Sequence, residues 1–296
     1  MVISLEFNKL TFDCMDTLRP YFTENHGRLC DGTVGGTFIW RDYHRSEYAL
    51  EDGIFYLKVE YPEVSYALPR GKAIDKAAYD KIIEQCALEG IPALLCAVAE
   101  KDVTTLTGMY PNSEIRTDRS CSDYLYLSSD LVGLAGRKYS GQRNHINRFT
   151  REHQTWSFEH ITPANLSAVR EYYKKYALEH YKDAPAYLEG DRKAMEVLDN
   201  LEAYEIFGGA LYVGDEIIGV SFGEIMGDTL FVHAEKADTE HHGAYPMLMN
   251  QFAAAFTSED VIYINREEDD GDEGLRTSKL SYHPTEILHK YTIELK

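Results

Sequence analysis

The chain has 296 residues, 44% of them hydrophobic and 27% charged, the balance of a globular protein, and its length suits two domains of about 150 residues. No apolar run approaches the ~20 residues that cross a bilayer, and the start, MVISLEFNKL, has one lysine and no apolar stretch leading to a small-residue cleavage site, so a cytoplasmic protein is expected. A formal charge of −19 argues against broad nucleic-acid binding, whose affinity comes from neutralised phosphates, while leaving room for one local basic site. The cysteines (Cys14, Cys30, Cys86, Cys96 and Cys121) are five, scattered, and without a C-x-x-C pair. They are therefore read as free thiols, and no metal site is assigned.

In chain order, Leu10, Leu18 and Phe22 give a weak helical spacing from Thr11. A loop rich in glycine and aromatics, Gly32–Trp40, follows. Two short strands, Ile54–Glu60 and Val64–Leu68, flank the turn Tyr61-Pro62-Glu63. A helix starts near Asp75 with Ile82, Ile83, Cys86 and Ala87 as its apolar stripe. Ala93–Val98 is a continuous apolar run that suits a buried strand, and Tyr124–Ser128 alternates as another. The segment Leu131–His153 reads as helical and linking.

The second half opens with a strand, Thr155–Ile161, and a helix for which Thr162-Pro163 is read as N-cap and first residue. A further helix is expected over Glu189–Tyr204. Three strands, Ala210–Val213, Ile217–Ile225 and Thr229–Lys236, are joined by turns at Gly214-Asp215 and Gly227-Asp228. A helix over Gly243–Phe256, a strand at Val261–Asn265, a helix over Asp272–Leu280 and a last strand at Glu286–Ile293 complete the plan. Hairpins followed by helix, strand, helix and strand make an α+β protein with mixed sheets flanked by helices. The first half looks like a less regular copy of the second. The expected division is 1–130, a basic helical linker at 131–154, and 155–296.

Several residues stand out chemically. Arg137, Lys138, Arg143, Arg148 and Arg151 are five of the chain's thirty basic residues within fifteen positions that hold no acid. Arg143 and Asn144 are candidates for gripping phosphate or substrate, the alternative being that these arginines pair with the protein's own carboxylates. Strict alternation along Thr229–Lys236 would place His233 and Glu235 on one face, where Glu224 of the neighbouring strand could join them as an acid–imidazole–acid base. The alternative is a satisfied sheet histidine with glutamates turned to water. The acidic loop Glu267–Glu273 does not fit calcium-loop spacing and reads as a solvated lead into a helix, whose N-terminus suits Asp272 and Glu273.

Two stretches carry a resemblance over essentially the whole chain: Leu134-Ala-Gly-Arg-Lys-Tyr-Ser-Gly-Gln-Arg-Asn-His-Ile-Asn-Arg-Phe149 and Asn265-Arg-Glu-Glu-Asp-Asp-Gly-Asp-Glu-Gly-Leu-Arg-Thr-Ser-Lys-Leu-Ser-Tyr-His-Pro284. They resemble the bacterial family related to the C-terminal domain of phosphatidylglycerol lysyltransferase, which is similar in turn to the Fem-type peptidyltransferases with tandem GNAT (acyl-CoA N-acyltransferase-like) folds. The resemblance implies two GNAT-like domains and transfer of an acyl or aminoacyl group. The donor would be acyl-CoA or charged tRNA, and the acceptor an amine or hydroxyl on a small molecule, lipid or peptide. A non-catalytic relative that binds an anionic metabolite or a protein partner is the rival reading.

The resemblance also implies that Asn265, Arg266 and Asp269 line the active cleft and that Tyr282, after the fifth strand, protonates the leaving group, while i, i+3 spacing sets Lys279 beside Tyr282 as a substrate-binding candidate. A further expectation is that these five side chains share one pocket. Acyl-CoA enzymes of this fold bind pyrophosphate on a Gln/Arg-x-x-Gly-x-Gly/Ala loop. The corresponding stretch here, Glu240-His-His-Gly-Ala-Tyr-Pro246, keeps Gly243 and Ala244 as cofactor-binding candidates. It lacks the basic residue and the second glycine, and Pro246 removes one donor.

Overall fold

A computed structural model describes residues 4–23, 27–180 and 185–296; the first three residues of the start discussed above lie outside it. The first half of the chain runs β1 (Asn8–Lys9), α1 (Met15–Leu18), α2 (Pro20–Thr23), α3 (Val34–Ile39), β2 (Glu47–Glu51), β3 (Ile54–Val59), β4 (Ser65–Tyr66), α4 (Lys76–Glu89), β5 (Leu94–Ala99), α5 (Glu100–Met109), β6 (Glu114–Thr117) and β7 (Asp123–Leu127). The second half runs α6 (Ser128–Gly133), α7 (Ser140–Glu152), β8 (Trp156–His160), α8 (Leu166–His180), α9 (Pro185–Asp199), α10 (Leu201–Tyr204), β9 (Phe207–Val213), β10 (Glu216–Met226), β11 (Thr229–Ala237), α11 (Ala244–Phe256), β12 (Tyr263–Asn265), α12 (Glu273–Leu280), β13 (Glu286–Leu288) and β14 (Lys290–Glu294).

These strands form two mixed sheets with one plan. One sheet has the order β1, β2, β3, β4, β5, β14, β6; the other has β8, β9, β10, β11, β12, β7, β13. In each, four successive antiparallel strands lead to one parallel pair, β4 with β5 and β11 with β12. A helix, α4 or α11, makes the crossover that a parallel pair requires. The sixth place in each sheet is taken by the last strand of the other half. β14 pairs antiparallel with β5 and β6, and β7 pairs antiparallel with β12. The two halves are thus equivalent in topology and have exchanged their final strands.

That exchange replaces the expected boundaries at 130 and 154. One compact unit comprises Met1–Asp123, Glu268–Gly271 and Leu288–Lys296, the other Tyr124–Glu267 and Asp272–Ile287. The basic segment 131–154 belongs to the second unit rather than linking two. Phe149 of α7 is wholly buried against Leu211, Ile218 and Leu248, and Asn250 of α11 donates to the carbonyls of Leu131 and Val132 at 2.9 and 2.8 Å. The core of the first unit gathers Tyr56, Tyr66, Ile82, Leu95, Val98 and Ile293. That of the second gathers Tyr124, Tyr126, Leu230, Phe252, Ile264 and Tyr282.

Four local expectations change. Gly32–Trp40 contains the helix α3, because Thr33 caps it by accepting from the Gly36 amide at 2.8 Å. Gly36 must lack a side chain there, since a Cβ would stand 2.1 Å from the Cys30 carbonyl oxygen. The helix expected from Thr11 is broken into α1 and α2, each four residues long. Thr162 and Pro163 precede α8 in a turn held by Asn165, whose Oδ1 accepts from the Thr162 amide at 2.8 Å. The single strand expected over Glu286–Ile293 is β13 and β14, which belong to different sheets.

Candidate functional site

The second unit opens its sheet at the parallel pair. β11 matches β12 only from Thr229↔Tyr263 to Phe231↔Asn265, yet β11 runs on to Ala237. Beyond Phe231 the strands part, and the residues after β12 turn away with positive φ at Glu267 (56°). A β-bulge sits at the same place. Gly223 faces Val232 and Phe222 faces Ala234, so His233 is the extra residue on β11. Gly223 permits this, because a Cβ would lie 2.0 Å from the Phe231 carbonyl oxygen.

The bulge undoes the expected alternation. Phe231 stands opposite Glu224, whereas Glu235 stands opposite Ser221, and residues three apart on β10 lie on opposite faces. Glu235 is therefore separated from Glu224, and the carboxylates around His233 are Glu224 and Glu267. The ring nitrogens Nε2 and Nδ1 lie 2.8 and 2.7 Å from them, with 2% of the His233 side chain exposed. Burial alone would lower its pKa, but the two carboxylate hydrogen bonds raise it to about 10. His233 is an imidazolium that donates from both nitrogens and has no lone pair for a base.

Glu235 instead meets Arg266, whose Nη2 donates to both carboxylate oxygens at 3.1 Å. The guanidinium lies 4.8 Å from the Tyr282 ring centroid and 5.9 Å from that of Tyr126. Burial opposes its charge, and the Glu235 carboxylate overcomes that opposition, so Arg266 stays cationic. Its Nη1 is buried with no hydrogen-bond partner among the described residues. Burial, partly offset by Arg266, pushes the Tyr282 phenol up, so it remains protonated at neutral pH and able to donate.

A cavity of about 300 Å³ lies here, lined by His145, Glu235, His242, Gly243, Arg266 and Tyr282 among others. Its volume is at the small end for ligand pockets. Gly243 and Ala244, at the start of α11, line it as well. Gly243 also has a packing reason to be glycine. Its φ is 86°, and a Cβ would lie 2.5 Å from the His145 carbonyl oxygen.

Of the five residues expected around one pocket, Arg266 and Tyr282 line this cavity. The other three shape backbone. Asn265 Oδ1 accepts from the Glu267 amide at 2.6 Å, Lys279 Nζ donates to the Arg266 carbonyl at 2.6 Å, and Asp269, in the first unit, accepts from the Gly271 amide at 3.0 Å. Arg143 donates to the carbonyls of Leu134 and Gly136, and Asn144 is exposed; the α7 residues on the cavity are Gln142 and His145.

Sequence reasoning missed a second cluster, in the first unit. Lys290 Nζ lies 2.6 Å from Asp31, 2.8 Å from Asp123, 3.1 Å from Glu268 and 3.3 Å from Cys30 Sγ. Cys30, Asp31 and Asp123 have metal-ligand spacing, but the ammonium already occupies the cation's place. Burial pushes Asp123 up to about 7, with Lys290 opposing and Glu268 adding to the rise. Nothing in the local sequence links residues this far apart.

Two mixed sheets of this plan, the second parting at its parallel pair, define a tandem GNAT-like protein. The chain belongs to the family of the phosphatidylglycerol lysyltransferase C-terminal domain, which matches residues 26–294. A crystal structure of a conserved protein of unknown function from Bacteroides thetaiotaomicron is 33% identical, with a TM-score of 0.91 over 99% of this chain and 100% of that one. L-PGS from Bacillus licheniformis shares the fold at 13% identity and a TM-score of 0.63, over 95% of this chain and 91% of that one. FemX shares it at 10% identity and 0.52, over 99% and 98%. An uncharacterized protein of Mycoplasmoides gallisepticum is 23% identical over 60% of this chain, and the match spans 57% of that protein's length. No helix among the described residues is long and apolar enough to cross a membrane.

Proposed function

We propose that the protein transfers an acyl or aminoacyl group from an ester or thioester donor to an amine or hydroxyl acceptor, with the cavity at the start of α11 as its reaction centre. The observation that carries this reading is the meeting of Glu235, Arg266 and Tyr282 on one cavity where β11 and β12 part, in a chain of the lysyltransferase family. Glu235 takes the proton of the attacking amine or hydroxyl as the new bond to the acyl carbon forms. The bond from that carbon to the donor oxygen or sulfur breaks, and Tyr282 gives its proton to the departing group. Arg266 fixes the Glu235 carboxylate through Nη2 and puts a positive charge on the wall of the cavity, where it steadies the negative charge that develops on the acyl oxygen.

The volume suits the reacting end of a donor rather than a whole carrier. The departures of the Glu240–Pro246 stretch from an acyl-CoA loop favour charged tRNA, whereas the net charge of −19 favours CoA. A second reading is a non-catalytic module for an anionic metabolite or a protein partner. It is favoured by the closed Glu224–His233–Glu267 set, which has no free base.

Thermal-shift measurements with CoA, acetyl-CoA, charged tRNA and phosphorylated metabolites find the donor, because a ligand of the folded state raises the midpoint by mass action. Transfer from the donor so found should fall about 10²–10⁴-fold in Glu235→Gln and in Tyr282→Phe. Binding without transfer in the unaltered chain would select the second reading.

A further inference from the structure

The cavity wall carries an arrangement that acyl transfer does not use. His145 of α7 and His153, the residue that follows α7, meet His241 and His242, which precede α11, in two imidazole pairs. His145 Nδ1 lies 3.0 Å from His242 Nε2, and His153 Nε2 lies 3.4 Å from His241 Nδ1. The rings stand 5.0 and 4.8 Å apart between centroids. In a chain with 49 acidic residues against 11 histidines, an imidazole has ample carboxylates to pair with, yet these four rings hydrogen-bond to one another.

The separations have a chemical meaning. Nitrogen–metal bonds of about 2.1 Å place two ligand nitrogens about 3.0 Å apart at a right angle and about 3.4 Å apart at the tetrahedral angle. Both pairs therefore sit at the spacing of neighbouring ligands on one ion. The spacing is also held in place: Gly243 packs directly on the His145 carbonyl, where even a Cβ would lie at 2.5 Å, so the turn carrying His241 and His242 is pressed against α7. His145 is exposed, which leaves the remaining coordination positions open to water.

We propose that His145 Nδ1 and His242 Nε2 bind a divalent transition ion of the Zn²⁺, Ni²⁺ or Cu²⁺ class at the wall of the cavity. Imidazole nitrogens select these ions over Mg²⁺ and Ca²⁺, which take oxygen ligands. The proposal stands apart from the transferase reading, since it needs neither donor nor acceptor.

The test is calorimetric titration of the metal-stripped full chain with ZnCl₂ and NiCl₂, with MgCl₂ as control. Saturable binding of Zn²⁺ and Ni²⁺ but not Mg²⁺ is expected. Affinity should fall about tenfold or more in His145→Gln and His242→Gln, at least the loss that outer partners of metal sites produce. It should be unchanged in Cys30→Ser, which removes the thiol of the other candidate cluster. Electron paramagnetic resonance of the unaltered chain with Cu²⁺ needs no variant to fold, and should show coupling to two or more nitrogens. Absence of binding at millimolar ion, equal affinity in both histidine variants, loss in Cys30→Ser, or a Cu²⁺ signal with oxygen ligation alone would each overturn the proposal.

Discussion

The protonation of His233 can be tested through stability. Its pKa of about 10 in the folded chain compares with about 6.5 when unfolded, so folding is favoured by about 5 kcal/mol below about pH 5, where both states are protonated. The sign follows from a raised pKa: the contribution is complete at low pH and disappears as pH rises from about 6.5 through about 10. About 4 kcal/mol remains at pH 7 and about 1.5 kcal/mol at pH 9, a loss of about 2.5 kcal/mol. Urea unfolding at these two pH values measures it, provided the same loss in His233→Gln is subtracted to remove the other titrating groups. Glu267→Gln, which takes away one carboxylate, should show an intermediate loss, and it serves if His233→Gln does not fold. If the unaltered chain and His233→Gln lose stability in parallel, to within about 0.5 kcal/mol, the ring is neutral and the reasoning fails. His233 would then regain a lone pair and a claim to act as base.

Gly243→Ala should lower the melting temperature by about 5 °C or more, since it combines a left-handed backbone with a backbone clash worth at least about 2 kcal/mol; a change under about 1 °C would show that the turn can move off α7. Lys290→Met should cost about 3–5 kcal/mol by leaving the carboxylates of Asp31, Asp123 and Glu268 without their cation. Because Asp123 sits at about 7 in the folded chain against about 3.9 unfolded, its contribution favours folding in acid and is lost as pH rises through neutrality. The variant should therefore be closer to the parent at pH 5.5 than at pH 8 in urea unfolding, and an equal deficit at both would rule out the charge argument.

Much of the fold was legible because it is written locally. Asp75 caps α4 by accepting from the Ala77 amide, and Asp272 caps α12 by accepting from the Leu275 amide. Gly214 and Gly227 turn the β9–β11 hairpins with φ of 60° and 58°. Each of these depends on residues within a few positions, and so do the continuous apolar run that marks β5 and the alternation that marks β7. The Asn265–Pro284 stretch pointed to five residues around one pocket, of which Arg266 and Tyr282 line the cavity and Asn265, Asp269 and Lys279 do not.

What the tertiary structure decided lies between distant residues. That β7 completes the sheet of the second half and β14 that of the first is a matter of pairing across more than a hundred residues, and an isolated strand reads the same whichever sheet receives it. A bulge is equally silent. Whether Glu235 lies with Glu224 or with Arg266 depends on one extra residue in β11, which depends in turn on Gly223 allowing the Phe231 carbonyl to approach. The charged residues follow the same rule. The pattern of acids and bases along the chain is set by composition. Which carboxylate faces His233, Arg266 or Lys290 is set by burial, because an ion removed from water must find its partner wherever the packed chain provides one.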